Sequence, residues 1–453
     1  MQVDALNPLE QRTAISLSLV FALRMLGLFM IMPVFAIYGQ DLVGYSPMWV
    51  GLAIGAYGLT QAVLQIPAGM LSDKFGRRPI IYIGLIIFAL GSLVAAFSES
   101  VYGVTLGRAL QGAGAIASAV LALAADVTRE EQRPKAMGMI GVSIGLAFTV
   151  SMVAGPVLAP LVGLKGLFLI TALGALIGIA IVHFMVPRIV SKAPKGDTIA
   201  IPKLLANLAK NPQLLRLNLG IFILHTALTA VFIALPLQLQ AMQLAPAIHW
   251  HLYLPALLLS FVMIIPMIII AAKKEKNRQF YLFAILLMAF SLVLMSVTEH
   301  SLVLMFVCIF LYFTAFNFLE ASLPAFISML APAGAKGSAM GIYSTYQFLG
   351  AFFGGILGGV SYKLLGNSGL FLFLASLMLI WFFISWGLHN PSKIRTHTLT
   401  STIKNEDHAT QLTDQLIELD GVLEVVIIIE EQTVYIKVNN KIFSLTTAKQ
   451  ILA

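Results

Sequence analysis

Charge is what this chain lacks. Of its 453 residues only 11% are Asp, Glu, Lys or Arg, while 59% are hydrophobic; ordinary globular proteins carry about 25% charged residues. A chain so composed cannot clothe a water-facing surface, and the bilayer has to be its main solvent. Cysteine is almost missing as well. The single thiol, Cys308, lies in an apolar segment, which excludes a disulfide framework and a cysteine-rich metal site. No Walker loop, nucleophile elbow or metal-ligand cluster occurs, so the sequence indicates no enzyme, no metal and no cofactor. The polar N-terminus, MQVDALNPLEQR, lacks the pattern of a cleavable signal peptide. The formal net charge of +8 comes without any nucleic-acid-binding signature and points to anionic lipid headgroups as the neighbour.

What the chain has in quantity is long apolar runs. Twelve are long enough to span a membrane, near residues 12–38, 47–72, 79–98, 101–126, 134–162, 166–187, 214–240, 247–272, 279–298, 301–329, 337–364 and 368–388. They are numbered spans 1 to 12 below. Short loops make neighbouring spans antiparallel. The stretch 188–213, with KAPKGD inside it, reads as a linker between a first half (10–187) and a second (214–390). Bases gather in the loops after spans 2, 4, 6, 8 and 10, among them Lys74, Arg77, Arg78, Arg129, Arg133, Lys135, Lys273, Lys274, Arg278 and Lys336. The positive-inside rule then puts those loops, the linker and both termini in the cytoplasm.

The halves repeat. A shift of 203 residues carries Pro33 onto Pro236, Ala136–Met137–Gly138 onto Ala339–Met340–Gly341, and Gly155–Pro156 onto Gly358–Gly359. Two parallel repeats related by an axis along the membrane normal are a transporter architecture, with the substrate site at their interface near the midplane. After span 12 the composition turns polar. Over 391–453 the pattern reads βαββα: a strand at 397–403, an amphipathic helix at 408–419, the apolar run GVLEVVIIIE, a turn at Glu431–Gln432, the alternating TVYIKV and a final helix at TTAKQILA. That order is a small α+β domain one strand short of a full ferredoxin-like sheet. Without cysteine in IKNEDHA, His408 alone makes no transition-metal site; a stabilising or interaction role fits better than a regulatory one that docks on the charged loops.

The charge that remains is concentrated in GMLSDKFGRRP, between spans 2 and 3. Gly69, Asp73, Lys74, Gly76, Arg77 and Arg78 fit G-x-x-x-D-[RK]-x-G-R-[RK], and on this turn the chain resembles the major facilitator superfamily over residues 10–390. LGRALQGAGA in span 4, with Arg108, Gln111, Gly112 and Gly114, is similar to that family's helix 4 motif. With the α+β tail, the resemblance extends to YajR-type transporters among the proton-coupled drug antiporters. It implies an all-α membrane fold in two six-helix halves, protons and a small molecule as partners, and a monomer in the bacterial inner membrane. It also implies that the turn is a conformational latch. Gly69 allows close helix approach, and Gly76 can take a positive φ. Asp73 would face the N-terminus of span 11 near Lys336–Gly337, where backbone N–H groups favour an anion, and Arg77 would pair with Asp126. Both contacts would join the halves on the inside and favour the outward-open state. The corresponding stretch of the second half, AAKKEKNR, keeps bases but has no Asp or Gly.

Ionisable groups at membrane depth cost about 2.5–3.5 kcal/mol or more and are functional hypotheses by default. Arg24 in span 1, Arg108 in span 4 and Glu320 in span 10 are the candidates, with Asn317 one turn before Glu320 and His225 in span 7 as a further member. The resemblance implies that spans 1, 4, 7 and 10 line the cavity. Glu320 could take a proton or a cationic substrate, with Arg108 modulating it; Arg24 could equally brace span 1, and His225 could be a packing residue. Gln61, Gln65, Gln238, Gln240 and Gln347 are further polar groups on apolar helices, and Phe29, Tyr57, Phe232, Tyr343 and Tyr346 could supply aromatic walls. The antiporters' span 5 motif is incomplete: Gly145, Gly155 and Pro156 are present, but Ala159–Pro160 replaces the later glycines. Span 11 carries Gly354 and Gly358 to match, so spans 5 and 11 are expected to pack on each other between the halves. The reading is a proton-driven exporter of small amphipathic or cationic compounds. Its alternatives are a metabolite or sugar importer, and a transporter-like sensor signalling through the tail.

Overall fold

The computed structural model describes residues 5–129, 132–187, 208–332, 335–390, 394–403, 405–429, 432–439 and 442–452. The expected linker falls largely outside them; span 7 starts at Pro212 behind an Asn211 cap. Span 1 is Pro8–Met30, continued after Ile31 by Met32–Tyr38; span 2 is Pro47–Phe75, span 3 Arg77–Phe97, and span 4 the pair Val101–Ala113 and Ala117–Val127. Spans 5 and 6 run through Arg133–Phe184, and spans 11 and 12 through Lys336–Ser385. Spans 7 to 10 are Pro212–Ala241, Trp250–Lys273, Asn277–Val297 and Leu302–Leu330.

The two long helices are each two crossings joined at a glycine. Gly163 has φ 64° and Gly366 φ 70°, non-helical positions inside otherwise continuous helices. Side chains resist that backbone, and glycine does not. The two glycines are 203 residues apart, so the repeat legible in the sequence is also a repeat of backbone geometry. Helix starts follow local chemistry: Asn7 and Glu10 form a reciprocal capping box, and Ser46, Ser100 and Ser301 each accept a hydrogen bond from an amide of the first turn.

Arginines of the charged loops and of the neighbouring first helical turns cap helix ends. Arg12 Nη2 and Arg78 Nη2 donate to Phe184 O (3.0 Å) and Val182 O (2.7 Å) at the end of span 6. Arg216 Nε donates to Ile384 O (3.1 Å), and Arg278 to Trp386 O, at the end of span 12. Arg133 Nε donates to Ala125 O (3.2 Å) in the last turn of span 4. Helix carboxyl ends carry partial negative charge, so a cation there adds about 0.3–1 kcal/mol. Arg78, read from sequence mainly as a topology signal, thus also ties span 3 to span 6.

The halves meet at the end opposite the GMLSDKFGRRP turn. There span 2 lies on span 11 so closely that a Cβ on Gly51 would sit 1.9 Å from Gly355 O, and one on Gly359 2.5 Å from Pro47 O. At mid-depth an aromatic row crosses between the halves: Phe29 on Phe148 (5.0 Å between centroids), Phe148 on Phe313 (6.0 Å), Phe313 on Phe232 (6.5 Å) and Phe232 on Tyr253 (6.2 Å). Toward the charged turn the approach loosens. Gly341 reaches Ile66 only at 4.0 Å, and a Cβ on Gly138, Gly141 or Gly145 would meet nothing within 4 Å. The expected pairing of spans 5 and 11 is therefore corrected. Gly155 packs on Met30 O of span 1, while Gly350 and Gly354 pack on Phe222 O and Thr226 O of span 7. The small residues let each span lie against a neighbour of its own half, and span 11 uses its other glycine face, Gly355 and Gly359, across the interface to span 2.

The tail folds as a three-stranded antiparallel sheet in the order β1-β3-β2, from Ile394–Thr400 (β1), Val422–Ile428 (β2) and Thr433–Asn439 (β3). Helices Glu406–Ile417 and Leu445–Leu452 complete the βαββα order. The first strand begins before the expected 397 because its pairing with β3 runs from Ile394 opposite Asn439 to Thr400 opposite Thr433. Leu412, Leu416, Val434, Ile436, Val438 and Ala448 form its core.

Candidate functional site

The second half brings three polar side chains together on three spans. His225 Nε2 (span 7) lies 3.1 Å from Glu320 Oε2 (span 10), and Gln347 Nε2 (span 11) donates to Glu320 Oε1 at 3.0 Å. Gln347 Nε2 is also 2.9 Å from His225 Nε2. The carboxylate side chain is 36% exposed and the imidazole 14%, so the cluster is sheltered yet open on the Glu320 side. Phe316, one turn before Glu320 on span 10, lies tilted against His225 at 6.1 Å. Polar residues thus converge from helices that are otherwise apolar.

The geometry limits where protons sit. His225 Nε2 has one position for either a hydrogen or a lone pair. It cannot accept from the Gln347 amide while also exchanging a proton with Glu320. One arrangement has Nε2–H donating to a Glu320 carboxylate, with Gln347 donating to the other oxygen. The other has a protonated Glu320 donating to an unprotonated Nε2. With a hydrogen kept on Nδ1 in both, moving the Nε2 proton of the imidazolium to the Glu320 carboxylate turns the first into the second, with Gln347 holding the carboxyl in place throughout. Asn317 is not part of this cluster: its Nδ2 donates to Ser260 Oγ at 2.8 Å and joins span 10 to span 8.

Arg24 and Arg108 lie apart from Glu320, in the first half, and both are buried. Arg24 Nη2 donates to Gln61 Oε1 (2.7 Å) and Gly114 O (3.1 Å). Gly114 is where span 4 breaks between its two helical pieces, so the guanidinium serves a carbonyl at a helix end. Arg108 Nη1 donates to Gln111 Oε1 (2.8 Å), and Gln111 Nε2 to Ser92 Oγ (2.8 Å). The Tyr57 ring sits between the two cations, 5.6 Å from Arg24 and 5.4 Å from Arg108. The two arginines therefore brace spans 1 to 4 around Tyr57 and the Gln61–Gln65 pair, which in the sequence are only scattered polar groups.

At the charged turn, Arg77 is buried and bonds in three directions: Nε to Asp126 Oδ2 (3.1 Å), Nη1 to Ser72 Oγ (2.8 Å), and Nη1 to Asp73. Gly76 turns the chain at φ 95°, and a Cβ on Gly69 would touch Ser118 of span 4 at 3.2 Å. The Arg77–Asp126 pair forms as expected, but it ties span 3 to span 4 within the first half and does not join the halves. Asp73 faces Arg77 in place of span 11, and among the described residues no hydrogen bond joins it to that helix. The reason is the parting of the halves at this end. Sequence reasoning passed over one ion pair altogether: buried Glu10 accepts from Arg129 N (2.9 Å) and Nε (2.9 Å), tying span 1 to the end of span 4. The partner lies 119 residues away in sequence, and nothing local to Glu10 points to it.

An apolar groove of about 740 Å³ runs between spans 1 and 5, along Leu19, Ala22, Leu26, Leu146 and Val150, with Lys135 at its rim.

The Major Facilitator Superfamily profile matches residues 17–354 and 217–411. The chain is 42% identical over 440 residues to the inner membrane transport protein YajR of Escherichia coli (strain K12), covering 96% of each chain. It is 33% identical over 144 residues to the class B tetracycline resistance protein of Escherichia coli, covering 30% of this chain and 34% of that one. Among solved structures, a mutant of the nucleoside transporter NupG superposes with a TM-score of 0.66 at 16% identity, over 82% of this chain and 98% of that one.

Proposed function

Because the chain belongs to the Major Facilitator Superfamily and is a multi-pass membrane transporter rather than an enzyme, we propose that it exchanges protons for a small amphipathic or cationic compound across the bacterial inner membrane. The Glu320–His225–Gln347 cluster carries this reading. A carboxyl with an imidazole 3.1 Å away, sheltered on one side and open on the other, can hold a proton or, once deprotonated, a cationic ligand. It cannot favour both at once, and that exclusivity is what an exchanger needs. An ion pair placed only for stability would gain little in lipid and would not need an open flank. The apolar groove between spans 1 and 5 supports an amphipathic cargo. The likeness to a tetracycline resistance protein, which covers about a third of the chain, supports export. With the charged turn assigned to the cytoplasm by the positive-inside rule, the conformation corresponds to an inward-open state: the far end is closed by the glycine contacts and Asp73 is disengaged from span 11. The Arg77–Asp126 pair then keeps the turn folded while Asp73 waits for the halves to close.

The test is flux in liposomes under an imposed pH gradient. Ethidium, an amphipathic cation, should move against its gradient and collapse the proton gradient as it does so. Ethidium movement indifferent to pH would favour a facilitator. A proton gradient that no panel of cations disturbs would favour the sensor alternative.

A further inference from the structure

The central strand of the tail's sheet is covered on both faces. In β3 the core-facing residues Val434, Ile436 and Val438 alternate with Thr433, Tyr435 and Lys437, and all six are buried. A central strand of a three-stranded sheet with helices on one side should leave its other face wet. Here Lys437 on that face is only 8% exposed. Its ammonium donates to Leu330 O at 3.0 Å and Ala331 O at 2.9 Å, the last carbonyls of span 10. Glu424 on β2 lies 4.0 Å from it. Burial lowers the ammonium below the usual lysine range, with Glu424 opposing and Lys336 adding to the shift. Such a seat costs solvation, so it is held by its partners rather than by chance proximity.

The repeat makes the contact more specific. In the first half, the end of span 4 is capped by Arg133, the first residue of span 5. Its equivalent 203 residues on is Lys336, the first residue of span 11. At the matching end of span 10, the last carbonyls are taken by Lys437 from the tail. Ala125 corresponds to Ser328, so Lys437 takes carbonyls just beyond the one that Arg133 uses, and the tail adds a cation of its own to the end of span 10. The turn it grips leads directly into span 11, whose N-terminus is where Asp73 would seat when the halves close. Span 10 also carries Glu320, with Pro324 between Glu320 and the gripped carbonyls; proline interrupts the hydrogen-bond ladder and makes a site where a helix can bend.

We propose that the C-terminal domain is a conformational regulator: docked through Lys437 on the carboxyl end of span 10, it fixes the turn into span 11 away from Asp73 and so holds the transporter open on the charged-turn side. Release of the domain frees that turn to meet the latch. This rests on the alternating-access reading above but not on its proton coupling, and it gives the tail a task in the transport cycle.

Spin-label distances on the full chain test it, in a Cys308→Ala background. One label pair, Gln11→Cys with Lys274→Cys, spans the mouth; a second, Asp414→Cys with Lys274→Cys, reports docking. Lys437→Met keeps the aliphatic stem and removes the charge. It should broaden the docking distances and move the majority of the mouth population to shorter distances. A Lys437→Cys/Ala331→Cys pair joined by a short crosslinker should do the reverse and abolish the short-distance population. If Lys437→Met leaves docking unchanged, or undocks the domain without moving the mouth distribution, the proposal is overturned. Mouth distances that never change under any ligand or pH, in the unmutated chain, would instead tell against alternating access itself.

Discussion

Gly51→Ala puts a methyl where the halves touch. In the closed end of the structure, that Cβ would lie 1.9 Å from Gly355 O, 2.8 Å from Gly355 C and 3.3 Å from Gly359 N. Carbon–oxygen contacts settle near 3.3–3.6 Å, so spans 2 and 11 would have to separate by roughly 1.4 Å. All three obstructing atoms are backbone, in a helix whose own glycines are packed on span 7, so no side chain can swing aside. Overpacking of this kind costs about 1–3 kcal/mol, and each ~1.4 kcal/mol is a tenfold change in an equilibrium. The state closed at this end should lose population by between about fivefold and about a hundredfold. Labels at Val43 and Leu364, both exposed at this end, would report it as growth of a longer-distance population. Gly174→Ala is the control: its added methyl meets only Leu23 O of span 1, in its own half, at an ordinary 3.8 Å, and its effect on helix propensity, about 1 kcal/mol at most, is shared by both states. A Gly51→Ala distribution that matches the unmutated chain, in protein of normal yield, would falsify the closed-end assignment.

Three further outcomes follow from the same contacts. Arg77→Met leaves Asp73 and Asp126 without their cation; as those carboxylates are 27% and 12% exposed, the loss should fall at the lower end of the roughly 3–5 kcal/mol typical of a broken buried pair, and an unchanged thermal unfolding midpoint in detergent would contradict it. Glu10→Gln weakens charge-assisted bonds to Arg129 worth about 1.5–3 kcal/mol, with Arg129 45% exposed placing the effect in the lower half of that range; the midpoint should fall here too, and no shift would mean the pair is idle. Asn317→Ala should weaken the packing of span 10 on span 8 while leaving proton coupling intact, because its partner is Ser260; loss of coupling with normal stability would bring Asn317 into the Glu320 cluster's chemistry.

Much of the fold was legible because it depends on composition and periodicity. Apolar runs of spanning length, alternating loop charge and a 203-residue repeat require no knowledge of neighbours. The repeat reached down to Gly163 and Gly366, whose shared positive φ was not anticipated though both residues stand at the same offset. The site was legible in part. Glu320 and His225 were visible as ionisable groups in apolar helices, but choosing Gln347 among five glutamines needs the rotation of span 11 about its axis, which no single sequence carries. Arg108 was expected to act on Glu320, and Arg24 either to join it or to brace span 1, because their spans belong to the expected cavity lining; the break at Gly114 and the ring of Tyr57 give both arginines partners in their own half. The glycines of spans 5 and 11 announced close packing, but the pairing of these two spans inferred from them fails, because a small residue does not specify its neighbour. The partner of Asp73 depends on which state the halves adopt, and the grip of Lys437 on span 10 is a contact across 106 residues of sequence. Such contacts are decided by tertiary geometry and leave no local trace.

The central claim is that Glu320 couples proton movement to cargo. Its most direct measurement is ethidium-dependent collapse of a pH gradient in liposomes holding either the unmutated chain or Glu320→Gln. Glutamine keeps the size and the hydrogen bond from Gln347 but cannot exchange a proton. The account predicts rapid collapse with the unmutated chain and a rate equal to empty liposomes with Glu320→Gln, at the same thermal stability. Equal collapse by the two would contradict it.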